Sequence, residues 1–218
     1  METASRIRLS PPDAPQPQTA CIPLAHARRW HSPFDDGSLE PVVAVFVTQT
    51  AYSHVCAHAG SKPDYEVGGV LVGKWCVDAD NNEQFVVVEK VLPARYTRQG
   101  SVYLTFTQDS LVNLHNEFEK HFQGKRIVGW YHTHPRMGVF LSDYDTWLHG
   151  HFFPEPWQVA LVIEPHSATG GFFIRQAGGG LDPARHFGFY ELNGHLGHSV
   201  VHWRNLQVVG EEIGSEGG

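Results

Sequence analysis

Residues 159–163 read Val-Ala-Leu-Val-Ile, apolar at every position, and Val42–Val47 is a second run of the same kind. Side chains alternate between the two faces of a strand, so a strand that is apolar throughout has neither face in water. Both runs are far shorter than the roughly 18 residues a membrane-spanning helix needs, and no apolar run in the chain reaches that length. Helices must therefore cover a sheet on both sides. That restricts the chain to the α/β or α+β class, with a mixed central sheet.

The remaining pattern supplies those elements. Tyr52, Val55, Cys56 and Ala59 fall on one face of a helix that Thr48 can cap and Gly60 can end. Cys56 is then core filler. Val67–Val77 and Phe85–Val91 are predicted strands, turned by Asp80-Asn81-Asn82. Pro93 to Gly100 reads as a polar loop and Val102–Phe106 as a strand. Leu111, Leu114, Phe118 and Phe122 form the apolar stripe of a second helix, stopped by Gly124. Arg126–Tyr131 is a strand and Ser142–Phe153 a short helix. Later strands are expected at Val159–Ile163, Phe172–Ile174, Phe187–Leu192 and Val200–Leu206.

The ends read differently. Seven of the 14 prolines lie within residues 1–41. Such a stretch makes little helix or sheet, so residues 1–40 are expected to form an extended, proline-rich arm, with the folded domain over 41–209. Residues 210–218, acidic and Gly-rich, read as a tail. Met1 to Gln16 has two arginines but no apolar segment of the signal-peptide kind. Cys21, Cys56 and Cys76 are widely spaced and form no C-x-x-C, so a disulfide scaffold is not expected and a reducing cytoplasm is. The net charge of −7 argues against partnership with nucleic acid or acidic membranes.

The chemistry sits in Gly129-Trp-Tyr-His-Thr-His-Pro-Arg-Met-Gly-Val-Phe-Leu-Ser-Asp-Tyr-Asp145. With 15 histidines in 218 residues, roughly one His-x-His is expected by chance, so context decides. His132 and His134 end a strand, where residues two apart share a face. Ten residues then intervene before Asp145, in the first turn of the next helix. Two imidazoles and a carboxylate make a three-ligand zinc site that leaves the fourth position to water, the catalytic pattern. His149 and His151 lie within the helix, where residues two apart diverge by about 200°, and cannot chelate one ion. Ser142-x-x-Asp145 also reads as a capping box. By itself, Glu66 reads as a solvent-facing charge at a strand end.

His132-Thr-His134-Pro135, six residues, Ser142, two residues and Asp145 resemble the signature of the JAMM (MPN+, Mov34-like) metalloproteases. Val128-Gly129-Trp130-Tyr131 is similar to the strand leading into it, and Glu66-Val-Gly-Gly-Val-Leu-Val-Gly73 to the upstream glutamate strand. The likeness spans roughly residues 41–176. It implies an MPN, cytidine-deaminase-like α/β/α sandwich. It also implies an isopeptidase that cuts after the C-terminal Gly-Gly of ubiquitin-like proteins. His132, His134 and Asp145 would hold Zn2+, Glu66 would carry protons and Ser142 would bind the oxyanion. The modifier's tail would add as a strand to Leu92–Tyr103. No cysteine follows Cys76, so the second-zinc insertion of chain-specific eukaryotic members is not expected. The compact body resembles bacterial members of ubiquitin-like conjugation systems of the Bil antiphage type. The alternatives are a protease that processes ubiquitin-like precursors or frees a sulfur carrier, and a non-catalytic MPN scaffold.

Overall fold

The computed structural model describes residues 15–94, 108–192 and 197–208. The expected strand at Val102–Phe106, most of the Leu92–Tyr103 segment and the 210–218 tail lie outside these residues. In chain order the elements are β1 (Gln18–Ala20), β2 (Ala27–His31), β3 (Ala44–Thr48), α1 (Gln49–Ser61), β4 (Gly68–Asp78), β5 (Gln84–Pro93), α2 (Gln108–His121), β6 (Arg126–Thr133), α3 (Asp143–Phe152), β7 (Val159–Glu164), β8 (Thr169–Phe173), β9 (Phe189–Leu192) and β10 (Gln207–Val208).

The strands form one mixed sheet in the order β10-β2-β9-β3-β5-β4-β6-β7-β8, with β1 added parallel to the far end of β4. The sheet curls. The bridge Phe172–Phe187 and the bond from Val42 N to Arg175 O bring the β8 end back beside β9 and β3. As its sequence demands, β7 is buried at every position. α1 packs Tyr52, Val55 and Ala59 on one face of the sheet, with Cys56 at the margin of that core. α2 and α3 cover the other face with Leu114, Phe118 and Leu148. The α/β class with a mixed sheet between helices is therefore what the chain adopts.

A bulge in β6 sets which residues face which layer. β4 and β6 pair as Leu71–Gly129 and then as Val72–Ile127, so Val128 is the extra residue. It resets the alternation. Val128 and Tyr131 pack in the α1 layer, whereas Trp130 packs in the layer of α2 and α3. His132 follows on the Trp130 side.

Three expectations differ from the structure. First, the fold does not begin near Pro41, because β1 and β2 are strands of the sheet. Pro17, Pro23 and Pro33 flank these strands and remove no ladder donor. The buried Asp78 carboxylate fastens the segment by accepting from Ile22 N at 2.7 Å. Second, Val200–Leu206 is not a strand. Val200, Val201, Trp203 and Leu206 do pack on the core. The backbone N–H groups of Val200, Val201, His202 and Arg204, however, donate to Glu191 Oε1, the Ser199 hydroxyl, the Tyr52 hydroxyl and Ala168 O. Third, α1 runs past Gly60 to Ser61, because Gly60 does not take the positive φ of a helix-ending glycine, whereas Gly124 does, at 75°. The Thr48 cap is present, its side chain accepting from Ala51 N.

Crowding around the bulge gives a test. A Cβ on Gly129 would lie 2.1 Å from Val159 O, whereas one on Gly60 meets nothing within 4 Å. Gly129→Ala is expected to cost about 2–3 kcal/mol of stability, and Gly60→Ala to add about 0.5–1 kcal/mol. Urea unfolding midpoints of the two variants check both signs.

Candidate metal centre

β6 lies between β4 and β7 and is hydrogen-bonded along both edges. His132 is its penultimate residue. His134 follows the strand end but keeps the extended path, its N–H donating to Ile163 O at 2.9 Å. The two imidazoles therefore leave on the same face, and their Nε2 atoms stand 2.8 Å apart.

The loop after His134 turns through two left-handed residues, Arg136 (φ 61°) and Gly138 (φ 89°). The buried Glu164 carboxylate holds this turn by accepting from Arg136 N at 3.0 Å. Burial pushes the Glu164 carboxyl up, but hydrogen bonds from Ser167, Arg136 and His166 outweigh it and bring it down to about 2. Leu141 N bonds to Pro183 O, and α3 then starts at a capping box. Asp145 N donates to Ser142 Oγ, and Asp145 Oδ2 accepts from Ser142 N at 2.8 Å and from Ser142 Oγ at 2.6 Å. Leu148 and Phe153 anchor the helix in the core.

This start places the Asp145 carboxylate on the histidines. Oδ1 is 3.3 Å from His132 Nε2 and Oδ2 is 3.5 Å from His134 Nε2. All three residues are buried. Burial lowers the pKa of His132, opposed by Asp145. Burial alone would raise the Asp145 carboxyl, but its bonds with His132, His134 and Ser142 hold it well below the usual carboxylate range. An ionised carboxylate and two ring nitrogens at such distances suit either imidazole N–H hydrogen bonds or a metal ion bound between them. For ligands at about 2.0–2.1 Å in a tetrahedron, the ligand–ligand edges are roughly 3.3 Å; the two His–Asp edges match, while the His132–His134 edge of 2.8 Å is shorter. The donor set fits a metal of the nitrogen- and oxygen-binding kind.

Glu66 is half-buried and stands just ahead of β4. Gly68 pairs with His132, and Val67 and Thr133 exchange bonds at 2.9 Å through Thr133 N and Thr133 Oγ1. Continuing that antiparallel register sets Glu66 opposite His134, on the face of the two imidazoles. Ser142 also reaches the centre, with its single hydroxyl proton directed at Asp145. His149 and His151 diverge, as helix geometry requires. His149 is buried and accepts from Trp130 Nε1, whereas His151 is exposed and bonds to Trp147 O. Two residues that the motif does not include also shape the site: Trp130, whose indole stacks on the His132 ring at 4.6 Å, and the Glu164 anchor. The i,i+4 spacing of Asp145 and His149, which puts them on one helix face, is the sequence signal for His149, the partner of Trp130.

The family described as JAB1/Mov34/MPN/PAD-1 ubiquitin protease matches residues 40–152, a span that holds Glu66, His132, His134, Ser142 and Asp145. The chain is 38% identical over 109 residues to the NAD(+) hydrolase TcpA of a Theionarchaea archaeon, across 50% of this chain and 30% of that protein. It is 32% identical over 129 residues to COP9 signalosome complex subunit 5 of Yarrowia lipolytica, across 56% of this chain and 34% of that one. The solution structure of a Desulfitobacterium hafniense protein overlays with a TM-score of 0.47 at 22% identity, covering 65% of this chain and 91% of that one. The chain thus spans about a third of the length of these two curated relatives. From residue 40 to residue 152, through the strand, turn and helix that gather the three buried donors, this chain belongs to the JAB1/Mov34/MPN/PAD-1 family.

Proposed function

We propose that the protein is a zinc-dependent isopeptidase that hydrolyses the bond after the C-terminal glycine of a ubiquitin-like modifier and so releases the modifier from target proteins. One observation carries this reading. Two imidazole nitrogens and a carboxylate, all buried, converge on one point at distances suited to a metal ion. His132, His134 and Asp145 would hold Zn2+. The bound ion supplies a water of lowered pKa and polarises a carbonyl.

The remaining steps belong to the chain. Glu66, set by the β4–β6 register beside the imidazoles, takes a proton as water attacks the carbonyl of the terminal glycine. It then returns the proton to the departing lysine amine. Acid–base help of this kind is worth on the order of 10²–10⁴ in rate. Ser142 stabilises the developing oxyanion once its hydroxyl turns away from Asp145 Oδ2, where it donates at 2.6 Å. Leu92–Ala94, at the end of β5, is the described part of the segment to which the modifier's tail would add.

A complete donor set speaks against a non-catalytic scaffold. The likeness to an NAD(+) hydrolase covers 30% of that protein, and the proposed activity follows the donor set rather than that name. A bacterial conjugation or antiphage system, in a reducing cytoplasm, is the setting proposed for the reaction. The free thiols of Cys21, Cys56 and Cys76 are in keeping with such a compartment.

Two measurements test the reading. Elemental analysis after metal-replete expression is expected to find about one zinc per chain, lost in the His132→Ala/His134→Ala double variant. A double variant that keeps its zinc would remove these ligands from the account. Glu66→Ala is expected to retain zinc and fold yet lose at least about 10² in turnover of a ubiquitin-like protein isopeptide-linked to lysine. If more than about a tenth of the wild-type rate survives, Glu66 is not the proton carrier. Running a linear precursor fusion in parallel separates deconjugation from precursor processing.

A further inference from the structure

Metal-binding histidines are usually aimed by a hydrogen bond to the ring nitrogen that faces away from the metal. Here Nδ1 of His132 and Nδ1 of His134 are both buried, with no hydrogen-bond partner among the described residues. What holds the His132 ring is a flat face. The Trp130 indole lies nearly parallel to it, with ring centroids 4.6 Å apart and planes 7° apart. Trp130 is itself fixed from α3, where its Nε1–H donates to His149 Nδ1 at 3.1 Å. Phe153, at the end of the same helix, stacks on the indole at 5.9 Å.

His149 lies one helical turn beyond Asp145, so the two share a face of α3. Both reach across to β6, Asp145 to the two imidazoles and His149 to the indole beneath one of them. His149 is 2% exposed. Accepting at Nδ1 requires its proton on Nε2, and Nε2 is buried without a partner among the described residues. An unpaired buried N–H is destabilising, so an apolar ring of similar size would serve packing better. Burial, aided by the charge of Arg175, holds the imidazole down at about 3. The ring therefore stays neutral and Nδ1 stays an acceptor at neutral pH.

We propose that His149 is a positioning residue for the metal ligands: by gripping Trp130 it sets the plane of the His132 ring and the seating of α3, and through both the place where Asp145 meets the histidines. The inference rests on the metal-site reading above and adds a residue that touches neither metal nor substrate.

The test uses the full chain and its His149→Phe and His149→Gln variants. Zn2+ affinity is read by competition with a chromophoric chelator, Co2+ coordination by visible absorption, and metal-free stability by thermal unfolding. His149→Phe is expected to keep or gain metal-free stability, to bind Zn2+ about 10–100-fold more weakly, and to shift the Co2+ bands. His149→Gln, whose Oε1 can accept from the indole, is expected to restore most of the affinity and the wild-type bands. Unchanged Zn2+ affinity in His149→Phe overturns the proposal, as does a loss matched by an equal loss of metal-free stability. A His149→Gln variant as weak as His149→Phe also overturns it. Wild-type protein that binds neither ion overturns the metal-site reading itself, a result distinct from normal wild-type binding with an indifferent variant.

Discussion

One carboxylate belongs to two structures at once. Asp145 closes the capping box that starts α3, accepting from Ser142 N and Oγ, and it stands against the two imidazoles at the end of β6. A capping carboxylate ordinarily sits near solvent, where it complements the helix dipole. Buried against His132 and His134, it ties the first turn of a helix to the end of a strand. The helix start and the cluster of three candidate donors are therefore the same feature. Neither can shift without the other, and the loop from His134 to Ser142 must fit the distance between them.

The strand side of this joint depends on parity. Without the extra residue at Val128, the alternation along β6 would put the residues after the bulge on the opposite layer from the one they occupy. With it, Val128 and Tyr131 fill the α1 layer while Trp130 and the histidines face α3. Gly129 sits beside the bulge because the backbone of β7 passes too close for a side chain. The Val-Gly-Trp-Tyr string is thus a register device as well as an approach to the ligands. The β4 register that sets Glu66 opposite His134 rests on the same pairing.

Much of this was legible in the residues. The unbroken apolar run of β7 required burial on both faces, and the strand, turn and helix reading put His132, His134 and Asp145 together through period and spacing alone. Other parts were not legible, for identifiable reasons. Proline density marked residues 1–40 as an arm, but proline excludes a strand only where it falls within one, and here β1 and β2 fit between the prolines. Val200–Leu206 is apolar enough for a strand, but apolarity reports packing and not where the backbone hydrogen bonds go. Those bonds go to Glu191 and Tyr52, whose polar atoms no local pattern assigns to this segment. As half of a His-x-His pair His149 carries no signal; its informative partner is Asp145, four residues back.

The three candidate donors also differ in how firmly the fold holds them. His132 and His134 are fixed by backbone, since β6 is laddered to β4 on one side and β7 on the other, and His134 N extends that ladder to Ile163. Asp145 is fixed by side chains: the capping box, the apolar contacts of Leu148 and Phe153, and the bond between His149 and Trp130. Backbone ladders move as units, whereas a helix docked by side chains can tilt or slide when one contact changes. Adjustment of the centre therefore lies with α3. Two donors form a rigid edge, and the third is brought to it by a helix whose seating sets how well the three donors agree on one point.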